Sequence, residues 1–383
     1  MKKLLYFTSR DMTSAGQGIN RKITQQIDTF RKSGFQVDAV YRKDVHKLVV
    51  HNGSEEILIS DKLKAPYKIA SSKYLRYFLK DKQYDAAYIR YVFDDYQFHK
   101  LLKLLHSKNI SVVVEIPTYP YDAEFHDSLE NKIVLCLDKI YRKYLQKYVQ
   151  RIATFSKDEK IWGVPTIQIM NGVDFSKIRP RICDTEHNSN GDINIIAVAD
   201  LAKWHGYDRV LNGLGQYYKE KPERNITFHL VGSGAELENY KKLVEEWNIE
   251  DQVIFYGRLQ GEQLDRVYDK CNLAAECFGA HRKDAKLSSS LKSREYIAKG
   301  LPIISSIDID VFLNQTSPYF YKFEDNELPI DMNRVIEFFD SVYGIKTQEE
   351  VARELRDYGE KICDIGVTLQ PVVNYFNDDN IKR

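Results

Sequence analysis

The chain has 383 residues, with 56 Lys and Arg against 55 Asp and Glu and a formal net charge of +1. That length suits two domains with separate cores, and the near-balance of charge argues against a nonspecific nucleic-acid binder, so any electrostatic function is local. Five scattered cysteines (Cys136, Cys183, Cys271, Cys277 and Cys363) contain no Cys-x-x-Cys pair, which argues against a zinc site or a disulfide framework and fits a reducing cytoplasm.

The N-terminal run "KLLYFTS" reads as a first strand, because charge returns at Arg10 and Asp11 too soon for the apolar core of a signal peptide. No stretch reaches the ~18 apolar residues of a membrane span, so membrane contact would be peripheral. The next segment, "SRDMTSAGQGINRKI", leads from that strand into a helix near Ile19. Gly16 and Gly18 there let backbone amides approach a phosphate or a sugar. It lacks both the third Gly of a dinucleotide fingerprint and the Gly-Lys-Ser/Thr end of a P-loop. "FQVDAVY", "YDAAYIRY", "ISVVVEIP", "RIATFS" and "TIQIMNG" continue the strands of the first half, alternating with helical segments as in a parallel sheet with covering helices.

"VVVEIPTYPYDAEFHD" collects Glu115, Thr118, Tyr119, Tyr121, Asp122, Glu124 and His126 near a strand end, where rings stack on sugar faces and carboxylates orient hydroxyls. Glu115 and Asp122 are candidates for the acceptor or catalytic region, an ordinary covering loop being the alternative. "NGVD", Asn171 to Asp174, closes the first half. "DFSKIRPRICDTEHNSNGD" then reads as a linker near residues 176 to 191.

The second half repeats the pattern with "INIIAVAD", "ITFHLVGSG", "QVIFYG", "NLAAECF" and "LPIISS". Gly232 and Gly234 follow a strand, where a tight turn and a ligand contact are both open; Arg258 lies just past another strand end. In "SSSLKSREYIAKGLPIISS" a helix carries Lys292, Glu295 and Lys299 along one side, is capped by Gly300 and is stopped by Pro302. Helices "DMNRVIEFFDSVYG" and "TQEEVARELRDYGEKICDIG" precede a last segment, "VVNYFNDDNIKR".

Taken in order, the Gly loop at Gly16 and Gly18, "IMNGVD", "AVADLAKWHGYDRVLNGL", "HLVGSG", "VIFYGRL" and "SREYIAKGLPIIS" resemble the family 4 glycosyltransferases over nearly the whole chain. The resemblance implies an α/β chain of the GT-B fold: two facing Rossmann-like, doubly wound domains with a cleft between them. An acceptor-binding domain is expected over residues 1–178, a nucleotide-sugar-binding domain over 179–366, and a segment 367–383 that returns to the first domain. It implies a nucleotide-diphosphate sugar as donor, no tightly bound cofactor, no metal, and retention at the anomeric carbon.

The carry-over is partial. Glu295 matches the second of the family's two glutamates, expected on the ribose hydroxyls, whereas the first falls on Leu287. The family's phosphate-binding Arg and Lys fall on Asp200 and His205. Lys292 is therefore expected to take the diphosphate, with Lys203, the loop cations His281, Arg282 and Lys283 and, when protonated, His205 around it, and Ser293 in the same helical turn. A surface pair of Lys292 with Glu295 is the plain alternative.

Residues 62 to 82 carry Lys62, Lys64, Lys68, Lys73, Arg76, Lys80 and Lys82 among Tyr67, Tyr74, Tyr77 and Phe78. "DKIYRKYLQKYVQR" repeats that mixture, which suits anionic lipid headgroups, solvated helix faces being the alternative. The expected protein is a cytoplasmic glycosyltransferase at the inner membrane face that acts on a glycan or lipid-linked acceptor. The rivals are a catalytically silent GT-B protein that binds a glycan or supports a partner enzyme, and a sugar-nucleotide epimerase.

Overall fold

The computed structural model describes residues 1–13, 18–44, 46–64, 67–91, 93–122, 129–183, 191–220, 222, 224–313 and 317–378. The chain divides into two compact units, Met1–Gly172 with Ile365–Arg383, and Val173–Asp364.

In chain order the first unit contains β1 (Lys3–Asp11), α1 (Gly18–Lys32), β2 (Gln36–Lys43), β3 (Lys47–His51), β4 (Glu56–Ser60), α2 (Tyr67–Phe78), β5 (Ala86–Arg90), α3 (Tyr96–Ser107), β6 (Ser111–Ile116), α4 (Leu129–Tyr141), β7 (Arg151–Thr154), β8 (Lys160–Ile161) and β9 (Val164–Gln168). The nine strands form one sheet in the order β4-β3-β2-β1-β5-β6-β7-β9-β8. Its centre is parallel, and β3, β4 and β8 pair antiparallel at the edges. Side chains alternate across the pleat. Leu5 and Phe7 pack with Leu101, Leu102 and Leu105 of α3, while Leu4 and Tyr6 meet Ile23 and Phe30 of α1 on the other face. With both faces covered, "SVVVEI" in β6 is apolar almost without interruption.

The second unit contains β10 (Ile193–Asp200), α5 (Tyr207–Lys219), β11 (Ile226–Ser233), α6 (Leu237–Trp247), β12 (Val253–Gly257), α7 (Gly261–Lys270), β13 (Leu273–Ala275), β14 (Leu287–Ser288), α8 (Leu291–Lys299), β15 (Ile303–Ser305), β16 (Asp308–Ile309), β17 (Phe320–Lys322), α9 (Met332–Tyr343) and α10 (Gln348–Cys363). Six strands, all parallel, run in the order β12-β11-β10-β13-β15-β17. Counted within the sheet this is 3-2-1-4-5-6, the doubly wound order, whose direction of winding reverses between β10 and β13.

The last helix, α11 (Ile365–Asn377), groups with the first unit. There Phe376 lies 6.3 Å from Phe30 and 6.2 Å from Phe35 between ring centroids. The expected linker is only partly a linker. Arg179 forms a two-pronged pair with Asp269 (2.9 and 2.8 Å), and buried Arg181 donates to Cys271 O and Gln348 Oε1. These arginines fasten residues 179–182 to the second unit, so a polar, periodless stretch is held by charge rather than by apolar burial. Residues 184–190 lie outside the described ones.

Candidate active site

In open α/β sheets a ligand sits outside the strand C-termini where the winding reverses. In the second unit that place is bounded by the segment after β10 and the segment after β13. After β10 a 3-10 turn, Lys203–His205, ends at Gly206 in the left-handed region (φ 67°). A Cβ on Gly206 would lie 2.4 Å from the backbone of Phe278 and Gly279, so only glycine lets the two segments approach. Phe278 N–H donates to His205 O at 2.7 Å across this contact.

His205 is buried, its ring stacked on Tyr207 with centroids 5.5 Å apart. The Ala202 N–H donates to Nδ1 at 3.2 Å, which leaves the ring proton on Nε2. Burial, then the charges of Lys292 and Lys283, push the imidazole down to about 3. At neutral pH this ring is therefore an uncharged Nε2–H donor, and it would act as a cation only when protonated.

After β13 comes Glu276, 1 % exposed. Its Oε1 accepts from Ser288 Oγ at 3.0 Å, and Oε2 is buried with no hydrogen-bond partner. Lys292 reaches it from α8: Nζ donates to Glu276 O at 3.0 Å and lies 3.8 Å from Oε1. Tyr207 OH donates to the same carbonyl at 3.1 Å. A buried carboxylate oxygen without a donor costs about 1–3 kcal/mol, which makes Glu276 a candidate for work on a ligand. Sequence reading missed it, because "NLAAECF" reads as an apolar strand; the lone acid in that run was the available signal.

Helix α8 is held firmly. Ser290 caps it by accepting from Ser293 N at 3.2 Å, and Ser293, fully buried, donates its Oγ to Ser290 O. Arg294, with no exposed surface, pairs with Asp310 at 2.5 Å. Lys299 pairs with Asp265 at 2.7 Å, so it does not share a ligand with Lys292. Glu295 is partly buried in the middle of the helix, and Leu287 is 42 % exposed in β14.

The loop cations divide. His281 lies between Asp325 (2.8 Å) and Glu327 (2.7 Å), and these hydrogen bonds raise its pKa. Arg282 pairs with Asp208 and Glu327 and donates to Lys203 O at 2.8 Å. Both are engaged by carboxylates of their own unit. Lys283 lies 5.4 Å above the Trp204 ring, and Lys203 is exposed. At the strand ends, Arg258 donates to Asp200 at 2.9 Å, with both side chains largely in solvent. Gly232 (φ 135°) and Gly234 are needed for packing: a Cβ would fall 1.8 Å from Ala199 O or 2.3 Å from Leu201 O.

In the first unit, Gly18 opens α1 and Gly16 lies outside the described residues, as do Glu124 and His126. Glu115 is sealed in the core. Tyr88 OH (2.6 Å), Gln26 Nε2 (2.7 Å), Arg90 (2.5 Å) and Lys22 (3.2 Å) all donate to its carboxylate. Burial alone would raise its pKa, but Lys22, Arg90 and these hydrogen bonds hold it at about 2. Asp122 is taken by Arg142 at 2.7 and 3.1 Å and by Lys139 at 3.2 Å. Glu115 and Asp122 thus belong to separate hydrogen-bond groups, each already supplied with cations. Among the described residues no group of three or more His, Cys, Asp or Glu is placed to hold a metal ion.

Residues 182–359 match the model of the family described as "Glycosyl transferases group 1". The comparison with curated proteins returns no significant match. Among solved structures the chain is similar to sucrose-phosphate synthase of Thermosynechococcus elongatus (TM-score 0.68, 14 % identity, covering 98 % of this chain and 99 % of that one). It is also similar to a glycosyltransferase from Rickettsia africae (0.64, 11 %, 98 % and 98 %) and to Anabaena HepE solved in complex with UDP (0.62, 11 %, 98 % and 100 %). These likenesses, with the strand orders above, establish the GT-B fold.

Proposed function

We propose that this protein is a glycosyltransferase that moves a hexosyl or related sugar from a nucleotide diphosphate to a glycan or lipid-linked acceptor, with retention at the anomeric carbon. The observation that supports this most directly is the meeting of His205, Glu276 and Lys292 where the second unit's winding reverses. The group 1 family match over residues 182–359 covers the same elements.

The chemistry assigned to each residue follows from its state. As the bond between the anomeric carbon and the diphosphate breaks, negative charge grows on the leaving oxygen. Lys292 supplies a fixed cation there, and the N-terminal turn of α8 supplies a favourable dipole. Neutral His205 donates through Nε2–H. Glu276 Oε2, buried and without a hydrogen-bond partner, accepts from a sugar hydroxyl. Arg258, held beside Asp200, returns a guanidinium to the place where the family's arginine falls on an aspartate. Glu295 is assigned the ribose hydroxyls. With the diphosphate charge met by these groups, the reading is metal-independent: the acceptor hydroxyl attacks the anomeric carbon from the face the leaving group departs, the bond to the diphosphate oxygen breaks, and the hydroxyl proton passes to the departing diphosphate.

Thermal stabilisation by a panel of nucleoside diphosphates and their sugars tests this. A ligand at 100 times its Kd adds about 2.7 kcal/mol. One nucleotide is expected to stabilise the wild type and to lose most of that effect in Lys292→Ala. If none stabilises either protein, the reading fails and the silent GT-B protein replaces it. An inverted product would overturn the stereochemistry alone.

A further inference from the structure

Helix α4 carries its apolar residues on the wrong side for a helix that serves only its own core. Its inner face contributes Leu135 and Asp138, and Asp138 accepts from Tyr121 OH at 2.6 Å and from Tyr91 OH. Its outer face presents Leu129 (75 % exposed), Ile133 (55 %), Leu137 (39 %) and Ile140 (50 %), followed by Tyr144 (44 %) in the 3-10 turn Arg142–Lys147. The spacing is four, four, three and four residues, one continuous stripe at helical period. A surface helix ordinarily turns polar residues to water there, so a contiguous apolar stripe marks an interaction surface.

The charge beside the stripe identifies the occupant. Lys132, Lys143 and Lys147 are exposed along the same segment, beside Lys139, which is exposed but paired with Asp122 at 3.2 Å. A protein interface is depleted in lysine, and a twofold pairing of this helix with a second copy would bring like charges together. An apolar stripe bordered by lysines matches a bilayer surface of anionic lipid. The side chains enter the boundary between headgroups and acyl chains, and the ammonium groups meet lipid phosphates.

We propose that α4, with the turn that follows it, lies in the plane of an anionic membrane, with Leu129, Ile133, Leu137 and Ile140 inserted and Tyr144 at headgroup level. Among the described residues no helix is long and apolar enough to cross a membrane, so this contact is interfacial. A lipid-linked acceptor gives the contact a purpose under the function proposed above, but binding itself does not depend on that reading.

The full-length protein is mixed, without donor or acceptor, with sedimentable vesicles of phosphatidylcholine alone or with about 30 % phosphatidylglycerol. The wild type is expected to pellet with the anionic vesicles, and less so as salt rises. Ile133→Asp with Leu137→Asp is expected to lower the partition coefficient at least ~30-fold. Lys132→Gln, Lys143→Gln and Lys147→Gln together are expected to lower binding to anionic vesicles ~100-fold. Because the altered side chains are exposed, melting temperature and nucleotide-induced stabilisation should not move, which separates this result from a failure of the transferase reading. Wild type that stays in the supernatant, or an aspartate variant that pellets equally, overturns the proposal. So does a wild-type dimer in light scattering that the aspartate variant converts to monomer without any vesicle binding, since the stripe would then be a self-interface.

Discussion

Lys292 Nζ donates to the backbone carbonyl of Glu276 at 3.0 Å and lies 3.8 Å from that residue's carboxylate, so one ammonium group attends both ends of the same buried acid. The pair joins α8 to the end of β13 and leaves Glu276 Oε2 without a donor. Removing the ammonium leaves a carboxylate that is 1 % exposed with Ser288 as its remaining hydrogen-bond donor. Lys292→Met should therefore destabilise the protein by about 1–3 kcal/mol. Adding Glu276→Gln should return most of that loss, giving a coupling energy above ~1 kcal/mol in a double-mutant cycle. Urea denaturation of the four proteins measures it, and additive effects would show that the two residues do not interact.

Glu276→Gln keeps the shape of the side chain but replaces one acceptor oxygen with a donor. If Oε2 holds a sugar hydroxyl in the transition state, the transfer rate should fall ~10²-fold or more while nucleoside diphosphate affinity changes little, because the diphosphate is assigned to Lys292. Steady-state kinetics alongside nucleotide binding would separate the two effects. An unchanged rate would remove Glu276 from the reaction.

The sequence exposed the central sheet strands, because runs such as "SVVVEI" and "INIIAVAD" are apolar and bounded by turn residues, but not the outer strands β3, β4, β8 and β17, which are short or half exposed. It also exposed α8, whose Ser cap, Gly300 and Pro302 are local signals. What it hid was long-range pairing. Nothing in "AHRKDAK" says that Arg282 is taken by Asp208 and Glu327, 74 and 45 residues away, or that Arg181 is buried against Cys271. Helical spacing placed Lys292 and Glu295 along one side of α8, but it could not show that Lys292 Nζ reaches the carbonyl of Glu276, 16 residues upstream. Likewise, "DKIYRKYLQKYVQR" shows its mixture of cations and rings, but that α4 begins at Leu129 and which of its faces meets water is decided by the rest of the fold.

Glu115 offers a test of structural against catalytic use. Its charge is balanced by Lys22 and Arg90, whose side chains are only 6 % and 10 % exposed. Glu115→Gln would leave those cations buried and underpaired, at a cost of about 3–5 kcal/mol. Assayed well below its lowered melting temperature, the variant should keep its transfer rate within a few fold. A loss of 10³-fold or more with stability intact would instead place Glu115 among the reacting groups.

Two buried histidines in the second unit set its behaviour in acid. His205 is held at about 3, and His229 is pushed to about 4 by burial and then by Lys270. Both folded-state values lie below the unfolded value near 6.5. Their contribution is therefore complete above pH 6.5 and is lost as pH falls toward 4 and then 3. Each histidine adds a slope of about 1.4 kcal/mol per pH unit between roughly pH 6 and 4.5. Glu115, at about 2 against an ordinary 4.5, adds nothing to that window, since its share is lost only below pH 4.5. His205→Gln keeps an acceptor for the Ala202 N–H, and His229→Gln keeps polar contact with Asn194 and Tyr256. Chemical denaturation at several pH values from 7.5 to 5 should show each variant with a flatter loss of stability than the wild type, even where it is less stable at pH 7.5. Parallel curves would mean that these rings accept protons in the folded state as readily as in the unfolded one. His205 would then titrate near 6.5, still mostly neutral at pH 7.5, and would become a charged partner of the diphosphate only below about pH 6.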